Sequence, residues 1–163
     1  MLTHRHHLIA GLISLGQKWR FRGADAVYAH WSHCALIADD AGTLVEAEAL
    51  GVERSALSKY RSADFEVVHV GHLMSGDEKR RAIEYAEGQV GQAFGYLALL
   101  CAAIYLVTGV PLRLMRHDHQ TCSGLVVRAL QRGGLLEDAD PHLTLPADLA
   151  KTFTVAGLVD ARR

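Results

Sequence analysis

One cysteine, one histidine and one carboxylate in this chain could together carry out acyl-transfer chemistry. The cysteine is Cys122, in "HDHQTCSGLVVRAL" (117–130), where an apolar helix is expected to begin. A thiol in the first turn of a helix meets the positive end of the helix dipole and free N–H groups. Both lower its pKa, and the same N–H groups can hold a developing oxyanion. A thiolate of this kind needs an imidazole and a group to orient that imidazole. The imidazole candidate is His33, and the carboxylate candidates are Glu46 and Glu48 in "TLVEAEAL".

These residues have to be positioned by a hairpin. "HCALIA" and "TLVEAEAL" are short apolar runs around "DDAG", which has turn composition. Side chains alternate along a strand, so His33, Ala35 and Ile37 share one face, and Leu44, Glu46 and Glu48 share another. An even loop brings those faces together. A two-residue loop, Asp40–Ala41, pairs Asp39 with Gly42 and His33 with Glu48. Glu46 then lies diagonal to His33, within side-chain reach. A two-residue slip would set Glu46 directly opposite, and an odd loop would separate the groups. Cys34 points away from the His33 face and reads as core, as does Cys101.

The alternative chemistry is a metal site. His117, His119 and Cys122 offer three ligand types for zinc, but their spacing matches no strong zinc motif. The nucleophile reading leaves Cys122 uncoordinated, so no metal or organic cofactor is expected. His4, His6 and His7 read as solvated.

Outside this constellation the helices carry ordinary signals. Ser75 and Glu78 have capping-box spacing before a face of Ala82, Ile83, Ala86 and Val90. "SGLVVRALQRGG" is a helix with a glycine stop, and Pro146 suits the first turn of another. "FEVVHVGHL" reads as a third strand and "FTVAGLVD" as a last one. The apolar stretch 96–112 reads as a buried central helix rather than a membrane span, being at the short limit for one. The expected organisation is an amphipathic N-terminal helix over residues 1–22, followed by one α+β domain over 23–163.

Composition bounds the classes. The chain has 163 residues, 50% hydrophobic and 21% charged, as in a globular domain with a real core. A net charge of −1 gives no field pointing to nucleic acid. Three cysteines are too few and too irregular for a disulfide framework. The N-terminal stretch has no convincing signal-peptide cleavage site, which leaves the cytoplasm as the default compartment. Its basic, amphipathic character offers peripheral membrane contact as a second use. A phage-associated origin fits equally well.

The segments "HWSHCALIADDAGTLVEAEALGVERSALSKYR", "AEGQVGQAFGYLALL", "TCSGLVVRALQRGG" and "LTLPADLA" resemble the circularly permuted branch of the NlpC-type cysteine peptidase superfamily. The resemblance is to YiiX-like, permuted papain-fold amidases related to lecithin retinol acyltransferase, and spans roughly residues 23–150. It implies a papain-like fold, with a small antiparallel sheet packed against helices. It also implies Cys122 as nucleophile, His33 as base and Glu46 as the orienting residue. The implied activity is cleavage of an amide, with cell-wall peptide (peptidoglycan) as the substrate class. A lipid-directed acyl hydrolase or acyltransferase could use the same triad, and a non-enzymatic binding or membrane-associated structural module could keep the fold. Related chains often carry a tyrosine near the position of Phe94. Here its hydroxyl comes from Tyr96 or is absent.

Overall fold

Asp39 and Gly42 close the hairpin that carries the histidine. In the computed structural model, which describes residues 1–4, 16–95 and 119–157, Asp39 Oδ1 accepts from the Thr43 N–H at 2.9 Å. Gly42 takes a φ of +81°, a left-handed conformation that glycine reaches without steric penalty. The loop is therefore Asp40–Ala41. Strand β3 (Leu36–Ile37) pairs with β4 (Thr43–Glu48), Leu36 against Val45 and Ile37 against Leu44. Carried inward, this register sets Ala35 against Glu46 and His33 against Glu48. It is the even-loop arrangement expected from the sequence, and it puts Glu46 diagonal to His33.

Strand β5 (Gly51–Ala56) continues the sheet on the far side of β4, with Glu46 opposite Glu53. Only glycine fits at position 51. Its φ is +134°, and a Cβ there would lie 2.5 Å from the Gln92 carbonyl oxygen.

The strand that bears the site begins before β3. His33 and Cys34 form β2, which pairs with β1 (Leu2–Thr3): Leu2 opposes Cys34 and Thr3 opposes His33. Ala35, between β2 and β3, exchanges both backbone bonds with Met1 at 2.9 and 3.0 Å. β6 (Phe65–Glu66) pairs with the other edge of β1, giving the order β2-β1-β6. A short parallel pair, β7 (Ala93–Phe94) and β8 (His119–Gln120), leads into the cysteine helix.

That helix is α2 (Cys122–Arg132), which ends at Gly133. Residues 122–127, 129 and 130 are all buried. Its partly exposed residues are Arg128, Gln131 and Arg132, and the rest of the helix is covered by its neighbours. Leu125 and Ala129 meet Val45, Ala47 and Val52 of the sheet together with Ala86 of α1 (Gly76–Gly88). Val126 and Leu130, about 100° further round the helix, meet Leu2, Cys34, Leu149 and Phe153. Helix α1 starts with the expected Ser75–Glu78 capping box. Helix α3 (Pro146–Val155) has its proline in the first turn and packs on a 3-10 helix spanning Gly23–His30. The arrangement is α+β: small, mostly antiparallel sheets against helices.

Three expectations are corrected. Residues 1–4 are not the start of a helix. Leu2–Thr3 are the middle strand of a sheet, because Leu2 is apolar enough to be buried beside Cys34. Only residues 16–20 of the segment are described as helical, and they too are tied into the domain. Gln17 is fully buried, donating to the Trp31 carbonyl at 2.8 Å and accepting from the Ala147 N–H at 3.0 Å. Second, Phe153–Val155 are not part of a last strand but the final turn of α3, which buries Phe153. Third, "FEVVHVGHL" is a strand only at Phe65–Glu66, and a 3-10 turn follows at Gly71–Leu73. The stretch 96–112, Cys101 and residues 5–15 lie outside the described residues. No helix among the described residues is long and apolar enough to cross a membrane.

Candidate active site

The hairpin, the start of α2 and the 3-10 helix Leu57–Tyr60 converge on one buried group of side chains. Cys122 is the first residue of α2, and Thr121 caps it, its Oγ1 accepting from the Gly124 N–H at 3.1 Å. The first N–H groups of the helix have no carbonyl partner within it, so their positive ends gather around the thiol. Cys122 is 5% exposed, His33 6% and Glu46 0%. A thiol, an imidazole and a carboxylate are thus withdrawn from bulk water together.

His33 Nε2–H donates to Glu46 Oε2 at 2.7 Å. That commitment leaves Nδ1 as the ring nitrogen for Cys122, with which His33 forms a hydrogen-bonded pair. Of the two carboxylates, Glu46 is the one shown bonded to His33. The Glu48 carboxylate sits on the same face but accepts from Lys59 Nζ at 3.2 Å and from Tyr60 Oη at 3.3 Å.

Glu46 is held by more than histidine. Its Oε2 also accepts from the Tyr60 hydroxyl. Its Oε1 accepts from the Ser55 hydroxyl and from Lys59 Nζ, the latter at 2.8 Å. The Tyr60 ring stacks on the His33 imidazole with centroids 6.3 Å apart. Buried charges persist only when paired and hydrogen-bonded, and here each carboxylate oxygen has two donors.

The charges follow from these contacts. Burial by itself pushes the His33 imidazole down, but the hydrogen bonds to Cys122 and Glu46 outweigh it and raise it to about 9. Burial pushes Glu46 up, but its bonds from His33, Lys59, Ser55 and Tyr60 hold it well below the usual carboxylate range. The Cys34 thiol, which hydrogen-bonds Cys122, does most to lower the Cys122 pKa well below its ordinary value. Burial opposes the drop, and His33 adds to it. Both shifts favour a thiolate beside an imidazolium.

The pH dependence follows with a definite sign. His33 is raised above its unfolded value of 6.5, so its contribution to stability is full below pH 6.5 and is lost as pH rises through about 9. Alkylation at pH 6.5 is expected to be much faster at Cys122 than at Cys34, whose thiol is pushed up by its bond to Cys122 and by burial. Iodoacetamide labelling against pH with peptide mapping checks this. Equal labelling of the two thiols would contradict the assignment.

Three participants escaped the sequence reading. Ser55 had a signal, since continuing the pairing across the Ala49–Leu50 turn puts it on the face of Glu46 and Glu53. Lys59 and Tyr60 had none, because a 3-10 helix after β5 brings them back over the carboxylate. The tyrosine hydroxyl at this site belongs to Tyr60. Phe94 is buried in β7, and Tyr96 is outside the described residues. Cys34 is core, 1% exposed, as expected, yet it also reaches Cys122.

Among the described residues, the group able to offer ligand atoms within 4.8 Å of one another is His33, Glu46 and Glu48. Lys59 already supplies a cation to both carboxylates. His117 and the side chain of His119, the other half of the zinc alternative, lie outside the described residues.

No family model, curated protein or solved structure matches the chain.

Proposed function

We propose that the protein is a thiol-dependent hydrolase of permuted papain-like architecture that cleaves an amide bond through an acyl-enzyme. The observation that carries this reading is the buried His33–Glu46 pair set against Cys122 at a helix start. The chain order of histidine strand, glutamate strand and cysteine helix supports it.

The Cys122 thiolate attacks the substrate carbonyl, and the oxyanion forms beside the N–H groups of α2. The His33 imidazolium gives its proton to the leaving amine. Neutral His33 then takes a proton from water, which attacks the thioester and releases the acid. Glu46 keeps the imidazole in one orientation and favours its charged form, while Tyr60, Ser55 and Lys59 fix Glu46. A cell-wall-type peptide is the proposed substrate class.

A second reading, acyl transfer or hydrolysis on lipids with the same triad, is favoured by one observation. A cavity of about 470 Å³, within the range of small-molecule sites, lies under Val68, Val70, Met74 and Ile83. Val126 and Leu130, one and two turns beyond Cys122 on α2, form part of its wall.

Activity-based profiling with a peptide-type probe and a long-chain acyl-ester probe tests both readings. Covalent labelling at Cys122 by the peptide probe, lost in Cys122→Ala, is the expected result, with turnover reduced on the order of 10³-fold or more. Labelling by the acyl-ester probe alone would select the lipid reading. Labelling by neither, in folded protein with a reactive Cys122, would leave a binding or structural module.

A further inference from the structure

Acyl transfer needs one thiol, and this site contains two. Strand β2 packs directly on α2, and Cys34 and Cys122 share one apolar cluster with Leu2, Val126 and Leu149. Both are free cysteines. Each thiol is the strongest influence on the other's proton: Cys34 is pushed up and Cys122 down. His33, the residue before Cys34, lowers the same Cys122 thiol. Two adjacent strand residues thus bear on one sulfur.

From this juxtaposition we infer that Cys34 and Cys122 form a dithiol centre that hydroperoxides oxidise to an intramolecular disulfide. The inference rests on the packing of Cys34 and Cys122 in one buried cluster, and does not require that Cys122 turn over an acyl substrate.

The chemistry balances in two steps. The Cys122 thiolate attacks one oxygen of the hydroperoxide; an S–O bond forms and the O–O bond breaks. The leaving oxygen takes a proton from the His33 imidazolium and departs as an alcohol, or as water if the oxidant is hydrogen peroxide. Cys122 is then a sulfenic acid. Its negative charge, which held Cys34 protonated, has gone. The Cys34 sulfur attacks the sulfenic sulfur; the S–S bond forms, the S–O bond breaks, and water leaves with the Cys34 proton. Two thiols lose two electrons, and one hydroperoxide gains them.

The order of attack is set by the arrangement. Cys122 has the helix start and His33 and reacts first; Cys34 is the resolving thiol. Such an exchange requires the two sulfurs to meet at bonding distance, which a shared buried cluster makes a local movement.

The test uses the full chain and hydrogen peroxide as the probe. After oxidation, remaining thiols are blocked with N-ethylmaleimide in denaturant and the protein is mapped without reduction. The expected product is a Cys34–Cys122 cross-linked peptide, with Cys101 alkylated, that dithiothreitol dissolves. In Cys34→Ser, folded by circular dichroism, peroxide should carry Cys122 on to sulfinic acid, which dithiothreitol does not reverse. If the serine variant does not fold, the wild-type map alone decides. Overoxidised Cys122 beside alkylated Cys34 in the wild type would overturn the inference, as would a disulfide through Cys101 or failure of either thiol to oxidise. Because the readout is mass rather than turnover, it stands apart from the hydrolase reading. Where turnover is present, the disulfide should abolish it and dithiothreitol restore it.

Discussion

Glu46→Gln should destabilise the protein by about 3 kcal/mol or more and lower the acylation rate on the order of 100-fold or more, a loss close to that of Glu46→Ala. The reason is the number of donors that meet at this carboxylate. His33 and Tyr60 point at one oxygen, and Ser55 and Lys59 at the other. A carboxylate is acceptor-only, whereas an amide turns a donor to one side. Facing Lys59, the new NH2 group meets an ammonium that cannot accept. Facing His33, it meets an N–H and drives the imidazole toward its neutral form. Hydroxyls can rotate to adapt, but the two cations cannot. Losing the carboxylate charge also lowers the His33 pKa and weakens the thiolate. Glu48→Gln, at a residue that contacts Lys59 and Tyr60 at 3.2 and 3.3 Å on a more exposed edge, should cost less than about 1 kcal/mol. Urea unfolding and the pH profile of acylation, measured on all three variants, check this. A Glu46→Gln protein with wild-type midpoint and profile would remove Glu46 from the site.

Deleting residues 1–4 should prevent folding. These residues supply the middle strand between β2 and β6, so their removal strands the backbone groups of His33–Cys34 and Phe65–Glu66. They also take Leu2 out of the cluster around Cys122 and remove the Thr3 hydroxyl bond to the Asp64 carbonyl, 2.9 Å. Leu2→Ala is the graded version. Leu2 is 1% exposed, and truncating such a side chain typically costs about 2–5 kcal/mol. Its folded fraction should keep a reactive Cys122, because the site side chains remain. Thermal unfolding and thiol labelling of the two variants separate these effects. A deletion variant with wild-type melting and labelling would show β1 to be dispensable.

The contrast between these two predictions shows where local information stops. Asp39, Asp40, Ala41 and Gly42 marked the hairpin by themselves, because turn chemistry and period-2 alternation act over neighbouring residues. They narrowed the register to a few arrangements, and the pairing of β3 with β4 selected the one that sets Glu46 diagonal to His33. The Ser75–Glu78 box, Gly133 and Pro146 marked helix ends for the same reason. Cys122 at a helix start was likewise legible.

The tertiary structure decided what lies far apart in the chain. "MLTH" has no strand signature of its own. It becomes a strand because Cys34, Ala35 and Phe65–Glu66 offer unpaired backbone on both sides, and because Leu2 finds an apolar cluster. Lys59 and Tyr60 look like any surface pair until the 3-10 turn folds them onto Glu46. Cys34 was assigned to the core from alternation, which is correct, but alternation cannot say what the core contains at that point. The α2 helix arrives there from 88 residues further along (122 − 34), carrying the second sulfur. Residue types and spacing fixed the candidates, while long-range packing selected their partners, since burial and charge pairing depend on everything that surrounds a side chain.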